Sequence, residues 1–364
     1  MRTLLKFFTL ALFLMSWVRT AHAQSSLRPA DFPIGFWCSP PEAFMTEEQY
    51  RLIKGAGFSV VMPPCEGNIT VEMNRKLLAL CRKVGLQAVI SDSRIPLTIT
   101  GNPKALSDLK AVVKEYSHFL PLMGYFITDE PGAKQFGELK QVVETLRKLD
   151  PQHAAFINLF PNYASNDRDA TPSQLNTTTY DEYLETYLNT VQPDVLSYDH
   201  YHFLKDRDRV GFLGNLASAQ RAAQIAGVPF WNIILSVSHG GYRKLNENEL
   251  RYEALQSMAY GVSGLIYFTY WLPPDDKTFQ WSHAIMERDG KPGPLYDPVK
   301  RVNEEVRTLA GFLYNAKCLM TFQTGEIPAD GKKPPSSSLA RSVGKGNLTL
   351  GIFRDGMGYL YVLA

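Results

Sequence analysis

From Pro33 onward the chain alternates short β-rich runs with longer amphipathic stretches, and no other feature narrows the possible folds as much. Strand candidates fall at 34–38, 59–63, 87–91, 123–128, 155–160, 195–200, 231–236 and 265–270. Helix candidates fall at 46–55, 70–84, 104–118, 133–148, 178–190, 210–226, 246–261 and 298–314. In the fourth helix Phe136, Leu139, Val142, Val143 and Leu146 recur at three- and four-residue steps, which gives one apolar stripe suited to packing on a sheet. Gly57, Gly85 and Gly227 each follow a helix and precede a strand, where a left-handed C-terminal cap favours glycine. A doubly wound open sheet also alternates. Eight βα units without a Gly-rich phosphate loop after the first strand predict instead a closed (β/α)8 TIM barrel, an α/β fold, over residues 30–322.

The 364 residues, 45% of them hydrophobic, suit one such barrel and something small. Residues 1–23 carry a basic start (Arg2, Lys6), an apolar run and Ala21-His22-Ala23, the pattern of a cleaved signal peptide, which predicts a secreted or periplasmic protein. No later stretch is long enough for a transmembrane segment. The Gly, Lys, Pro and Ser run 331–338 reads as part of a linker over 323–338. Beyond it, the apolar runs 348–353 and 359–363 flank Asp355-Gly356-Met357-Gly358 and predict a hairpin, either packed on the barrel or opening a β-sandwich.

Removing Arg2, Lys6 and Arg19 from the 38 basic residues leaves 35 against 36 acidic ones, a balance that implies no nucleic acid partner. In an exported chain Cys38 and Cys65, each just after neighbouring strands, are placed to form a disulfide, with buried free thiols as the alternative. His200, His202 and His239 lack an evident third ligand, so no metal and no cofactor are expected, and neutral sugar-binding histidines are the simpler account.

A barrel keeps its chemistry at the carboxyl ends of its strands. Those positions include Trp37, Glu66, Asp92 with Arg94, Asp129 with Glu130, Asn158, Asp199 with His200, Ser238 with His239, and Tyr270 with Trp271. Asp129 and Glu130 end a convincing strand, and two close carboxylates raise one another's pKa. An acid kept protonated near neutrality can protonate a departing glycosidic oxygen. The competing reading is that one of them, Asp129 above all, caps the following helix. Trp37 and Trp271 offer flat faces for a pyranose, or else fill the barrel end.

Ile127-Thr128-Asp129-Glu130-Pro131 resembles the strand-four (N/D)-E-P signature of retaining barrel glycosidases of the family 42 β-galactosidase type. Tyr267-Phe268-Thr269-Tyr270-Trp271 is similar to their strand eight, and residues 286–303 resemble the segment leading into their last helix. The resemblance implies a glycoside hydrolase acting on an oligosaccharide or polysaccharide, with Glu130 as general acid/base and Trp271 as the floor of the sugar site. The chain departs from that pattern at strand seven, where Ile234-Leu235-Ser236-Val237-Ser238-His239 lacks the nucleophilic Glu. Either Asp199, or a loop acid such as Asp275, replaces it, or the substrate's own 2-acetamido group attacks. The adjacent Asp-Glu pair resembles family 20 and 123 N-acetylhexosaminidases, and Tyr198-Asp199 resembles the Tyr-Asp of family 18 chitinases. These likenesses imply that Asp129 orients the acetamido group. Asp92, Asn158, Tyr198, His200, His239 and Tyr270 complete the candidate substrate contacts. A non-catalytic carbohydrate-binding barrel and a barrel lyase or isomerase are the alternatives, and oligomeric state is open.

Overall fold

The computed structural model describes residues 32–313, 315–335 and 346–364. The segment expected to be a signal peptide and the 336–338 part of the expected linker lie outside the described residues.

Eight parallel strands close into a barrel: β1 (Ile34–Phe36), β2 (Val60–Val61), β3 (Gln87–Ile90), β4 (Leu122–Asp129), β5 (Ala154–Leu159), β6 (Leu196–Asp199), β7 (Phe230–Leu235) and β8 (Gly264–Phe268). Closure is made by β1 against β8, with Gly35 opposite Ile266. The helices between and after them are α1 (Glu47–Gly55), α2 (Val71–Val84), α3 (Ala105–Tyr116), α4 (Phe136–Leu149), α5 (Tyr180–Val191), α6 (Phe212–Ala226), α7 (Glu247–Ala259) and α8 (Tyr296–Leu313). Each lies where the alternation places it. Thr46, Thr70, Thr179 and Asn246 accept backbone N–H bonds at the starts of α1, α2, α5 and α7. Gly85 and Gly227 end α2 and α6 in the left-handed region at φ 72° and 73°.

Two cores follow from the strands' two-residue period. Val60, Val89, Met123, Phe156, Trp231, Ile233 and Ile266 fill the barrel, while the intervening residues meet the helices in a larger outer core. Trp231 fills so much of the interior that a Cβ on Gly264 would sit 2.6 Å from its ring.

The C-terminal segment forms a three-stranded antiparallel sheet in the order β11 (Leu360–Leu363), β10 (Thr349–Arg354), β9 (Lys317–Gln323). The anticipated hairpin is present as β10 and β11. The alternation does not announce β9, which takes residues assigned above to the end of the barrel and the first residue of the linker. The sheet packs on the barrel through β10 against α7, and Gly351 is the residue whose bare backbone meets Ala259. Farther along, the Asp330 carboxylate accepts the Gly211 and Gly214 N–H groups at the start of α6, at 3.1 Å each. Among the described residues no helix is long and apolar enough to cross a membrane.

Candidate active site

At the carboxyl end of β4 a register shift between Phe126 and Thr128 brings Asp129 opposite Asn158 of β5. Glu130 then takes a left-handed backbone (φ 46°), unusual for a residue with a side chain, and its N–H donates to the Asn158 carbonyl at 2.8 Å. Neither carboxylate caps the following helix. In the short 3-10 turn Ala133–Gln135 that leads into it, the Gln135 side-chain oxygen accepts the Gly132 N–H at 3.1 Å.

On β6 the inward positions are Ser197 and Asp199. The Asn158 amide nitrogen donates to Asp129 at 3.0 Å and to Asp199 at 2.9 Å, and its oxygen accepts the Ser197 hydroxyl at 3.1 Å. Glu130 is hydrogen-bonded to Asp199 through their carboxyl groups. A bond between two carboxyl groups requires a proton on one of them.

All three acids are held up. Burial, then the charge of Asp129, raises Glu130 to about 7, against the Asp199 hydrogen bond, which lowers it. Asp199, 5% exposed, is pushed well above the carboxylate range by burial and then by Glu130 and Asp129. Asp129 is raised by the crowding protein and restrained by the Asn158 amide, although it stays accessible from the mouth. The cluster therefore carries a proton near neutrality, with Glu130 and Asp129 the members solvent reaches.

The opposite half of the mouth is aromatic. Tyr201, just after β6, stacks on Phe268 at 5.4 Å and 26°. Burial raises its hydroxyl, and Asp199, Asp129 and Glu130 add to the effect, so the phenol stays protonated beside the acids. His239 lies nearly parallel to Trp281 at 4.4 Å and against Tyr242 at 4.9 Å, and burial lowers its imidazole to about 4. The Trp281 backbone N–H donates to the Asp275 carboxylate at 2.7 Å. Trp37 lines the barrel's upper interior edge-on to Phe126 at 5.1 Å. The Cys38–Cys65 disulfide forms, tying the end of β1 to the loop after β2, while Cys81 and Cys318 are free and buried.

Glu130, Asp129, Asp199, Asn158, Trp37 and His239 thus meet at one mouth. Five expectations are corrected. Tyr198 alternates with the inward Ser197 and Asp199, so it points out of the barrel into the helical layer, fully buried. Tyr270 is likewise buried in the outer core, against Phe36 at 4.4 Å. Trp271, 2% exposed, packs on Phe44 instead of flooring a sugar site. Asp92 is gripped by Arg94 (2.7 and 2.9 Å) and by the Tyr116 hydroxyl (2.8 Å), an anchor for the loop after β3. His200 faces outward to Asn215 of α6 at 3.1 Å, and burial lowers it to about 3. His202 stacks on Tyr252, so the three histidines do not converge.

The sequence reading missed Tyr163, Tyr201, Tyr242 and Phe268, and it left Trp281, in its long loop, as either the lining of an outer subsite or a pin for that loop. For Phe268 a signal was available, since counting in twos from Ile266 puts it inside; the others sit on loops without periodicity.

The fold is shared with solved glycoside hydrolases. The β-galactosidase of Bacillus circulans sp. alkalophilus superposes with a TM-score of 0.57 at 12% identity, over 79% of this chain and 57% of that one. A family 39 glycoside hydrolase from Bacteroides cellulosilyticus WH2 gives 0.55 at 13%, over 91% of this chain and 71% of that one. The family 42 β-galactosidase of G. stearothermophilus gives 0.55 at 12%, over 80% and 58%. The chain spans little more than half the length of these two β-galactosidases. No protein-family model and no curated protein matches the sequence. At such identities the likeness is one of fold: the chain is a (β/α)8 barrel of the kind these glycoside hydrolases use.

Proposed function

We propose that this barrel is a glycoside hydrolase in which Glu130 is the general acid/base. The observation that carries the reading is the hydrogen-bonded Glu130–Asp199 carboxyl pair with Glu130 raised to about 7, open to an aromatic mouth. A carboxylic acid of that pKa keeps its proton in about half of the molecules at neutral pH and gives it up readily to a leaving oxygen. The glycosidases that share the fold add support by analogy.

The contact between Glu130 and Asp199 also assigns roles. Two acids that flank a glycosidic bond stand about 5 Å apart or more, so a directly hydrogen-bonded pair shares a proton instead of straddling the bond. Asp199 is then the proton partner, and Asp129, accessible and held by Asn158, is the acid left to orient the attacking group. The end of β7 brings Ser236, Ser238 and His239 and no carboxylate. That absence favours attack by the substrate's own 2-acetamido group, steadied by Asp129, over an enzyme nucleophile. Its substrate would be an oligosaccharide or polysaccharide met outside the cytoplasm, in keeping with the leader-like first 23 residues.

The test is turnover of aryl glycosides, with and without a 2-acetamido group, by the protein and its Glu130→Gln variant. A loss of ~100-fold or more in the variant supports the acid role. Equal rates would remove Glu130 from the chemistry, and equal turnover of both substrate types would remove the acetamido mechanism.

A further inference from the structure

The loop after β6 carries an arginine that the acid cluster does not use. Arg209 lies over the Tyr163 ring, its guanidinium carbon 3.8 Å from the ring centroid. Its Nε donates to the Tyr201 carbonyl at 3.1 Å and one Nη donates to the Tyr242 hydroxyl at 3.2 Å. Those bonds engage two of the five N–H donors of a guanidinium, and among the described residues no carboxylate lies within ion-pair distance of it. Other arginines of the mouth loops are spent: Arg94 on Asp92, Arg243 on Asp208 and Glu249, Arg288 on Asp275.

Arg209 is also not the counter-ion of the acids. A cation close enough for that would draw their pKa values down, whereas Asp129, Glu130 and Asp199 are all raised and no cation is a leading influence on any of them. Yet it is near, since the Tyr163 hydroxyl feels both Asp199 and Arg209 and is hydrogen-bonded to Tyr242. A half-buried guanidinium, seated on a ring and held by two neutral acceptors, with N–H donors left over, is a preorganised receptor for a planar or tetrahedral oxyanion.

We propose that Arg209 is the specificity residue of the mouth and that the glycan it admits carries an anionic group, a carboxylate or a sulfate, near the bond that is cleaved. This rests on the glycosidase reading above. An anionic substituent needs such a cation here, because the negative charge left on the acid cluster would otherwise repel it.

The experiment compares matched aryl glycosides that differ only in that group: glucoside with glucuronide, galactoside with galacturonide, N-acetylglucosaminide with its 6-sulfate. The expected result is at least one pair in which kcat/KM favours the anionic member by 10-fold or more. Arg209→Gln should erase the preference, with a loss of ~100-fold on the anionic member and less than 2-fold on the neutral one, and Arg209→Lys should restore part of it. The uronide and sulfate arms say which oxyanion is read. Parity within every pair, or an equal loss on both members in Arg209→Gln, overturns the proposal and leaves Arg209 as a loop anchor. If nothing is turned over, the glycosidase reading has failed, and the anion site is judged by equilibrium binding of glucuronate, galacturonate and N-acetylglucosamine 6-sulfate against their neutral parents. A charge preference that Arg209→Gln abolishes sustains the site, and its absence ends it.

Discussion

The mouth of this barrel has two unlike halves. The ends of β4, β5 and β6 bring three carboxylates, two of them bridged by one amide, whereas the ends of β7 and β8 and their loops bring His239, Phe268 and Trp281. Crowded carboxylates raise one another's pKa values, which equips the first half to hold and release protons. Flat rings around a neutral imidazole suit apolar faces, which under the proposed function would be those of a sugar. The difference teaches that the clustered acids gather in one arc of the mouth and the stacked rings in another.

Four substitutions test that division. The largest effect is expected from Trp271→Ala, which removes a buried outer-core ring and should cost ~3–5 kcal/mol of stability, measured by denaturant unfolding. A small cost together with a large rise in KM would restore Trp271 to the sugar site. Asp129→Asn should lower kcat by ~100-fold if Asp129 orients the attacking group. It also removes the charge that helps raise Glu130, so the alkaline limb of the pH–rate profile should move to lower pH: an acid must be protonated to act, and a lower pKa loses its proton sooner. A limb that stays put would place another acid in that role. Trp281→Ala should raise KM by ~10-fold with kcat kept, the signature of a lost binding face; an unchanged KM would make Trp281 a mere brace for its loop.

The smallest effect is expected from an acid on the aromatic side. Glu253 of α7 is fully buried, accepts the His202 N–H at 3.4 Å and a backbone hydrogen bond from Leu235, and is nonetheless driven well above the usual carboxylate range by burial. A folded-state pKa above the unfolded value means stability that is intact below pH ~4.3 and declines as pH rises toward the folded pKa. Glu253→Gln should therefore melt a few degrees higher than the parent at pH 8 and match it at pH 4. The same difference at both pH values would show that Glu253 is not a buried neutral acid.

The barrel was legible because eight apolar runs and eight amphipathic stripes are local patterns, and closure is the arrangement that pairs every strand edge. Glu130 and Asn158 were legible because a strand's carboxyl end is a position in sequence. The errors share a cause. Tyr198, Tyr270 and Trp271 are the right residue types at the right depth, but each faces the helices. A slip of one position along a strand exchanges inside for outside. Counting in twos from Asp199 would have excluded Tyr198, while the register shift in β4 shows why such counting fails near a bulge.

The sequence by itself determined the architecture, the disulfide-forming pair as one of two open alternatives, and the acid pair at the end of β4. Only tertiary structure decided that Asp199 hydrogen-bonds to Glu130, that one asparagine holds two acids, and that Trp281 and Arg209 reach the mouth from loops. The physical reason is range. Secondary structure answers to periodicities of two and 3.6 residues, which a window of sequence contains. A proton shared between β4 and β6 depends on burial and on separations across the barrel that no window contains.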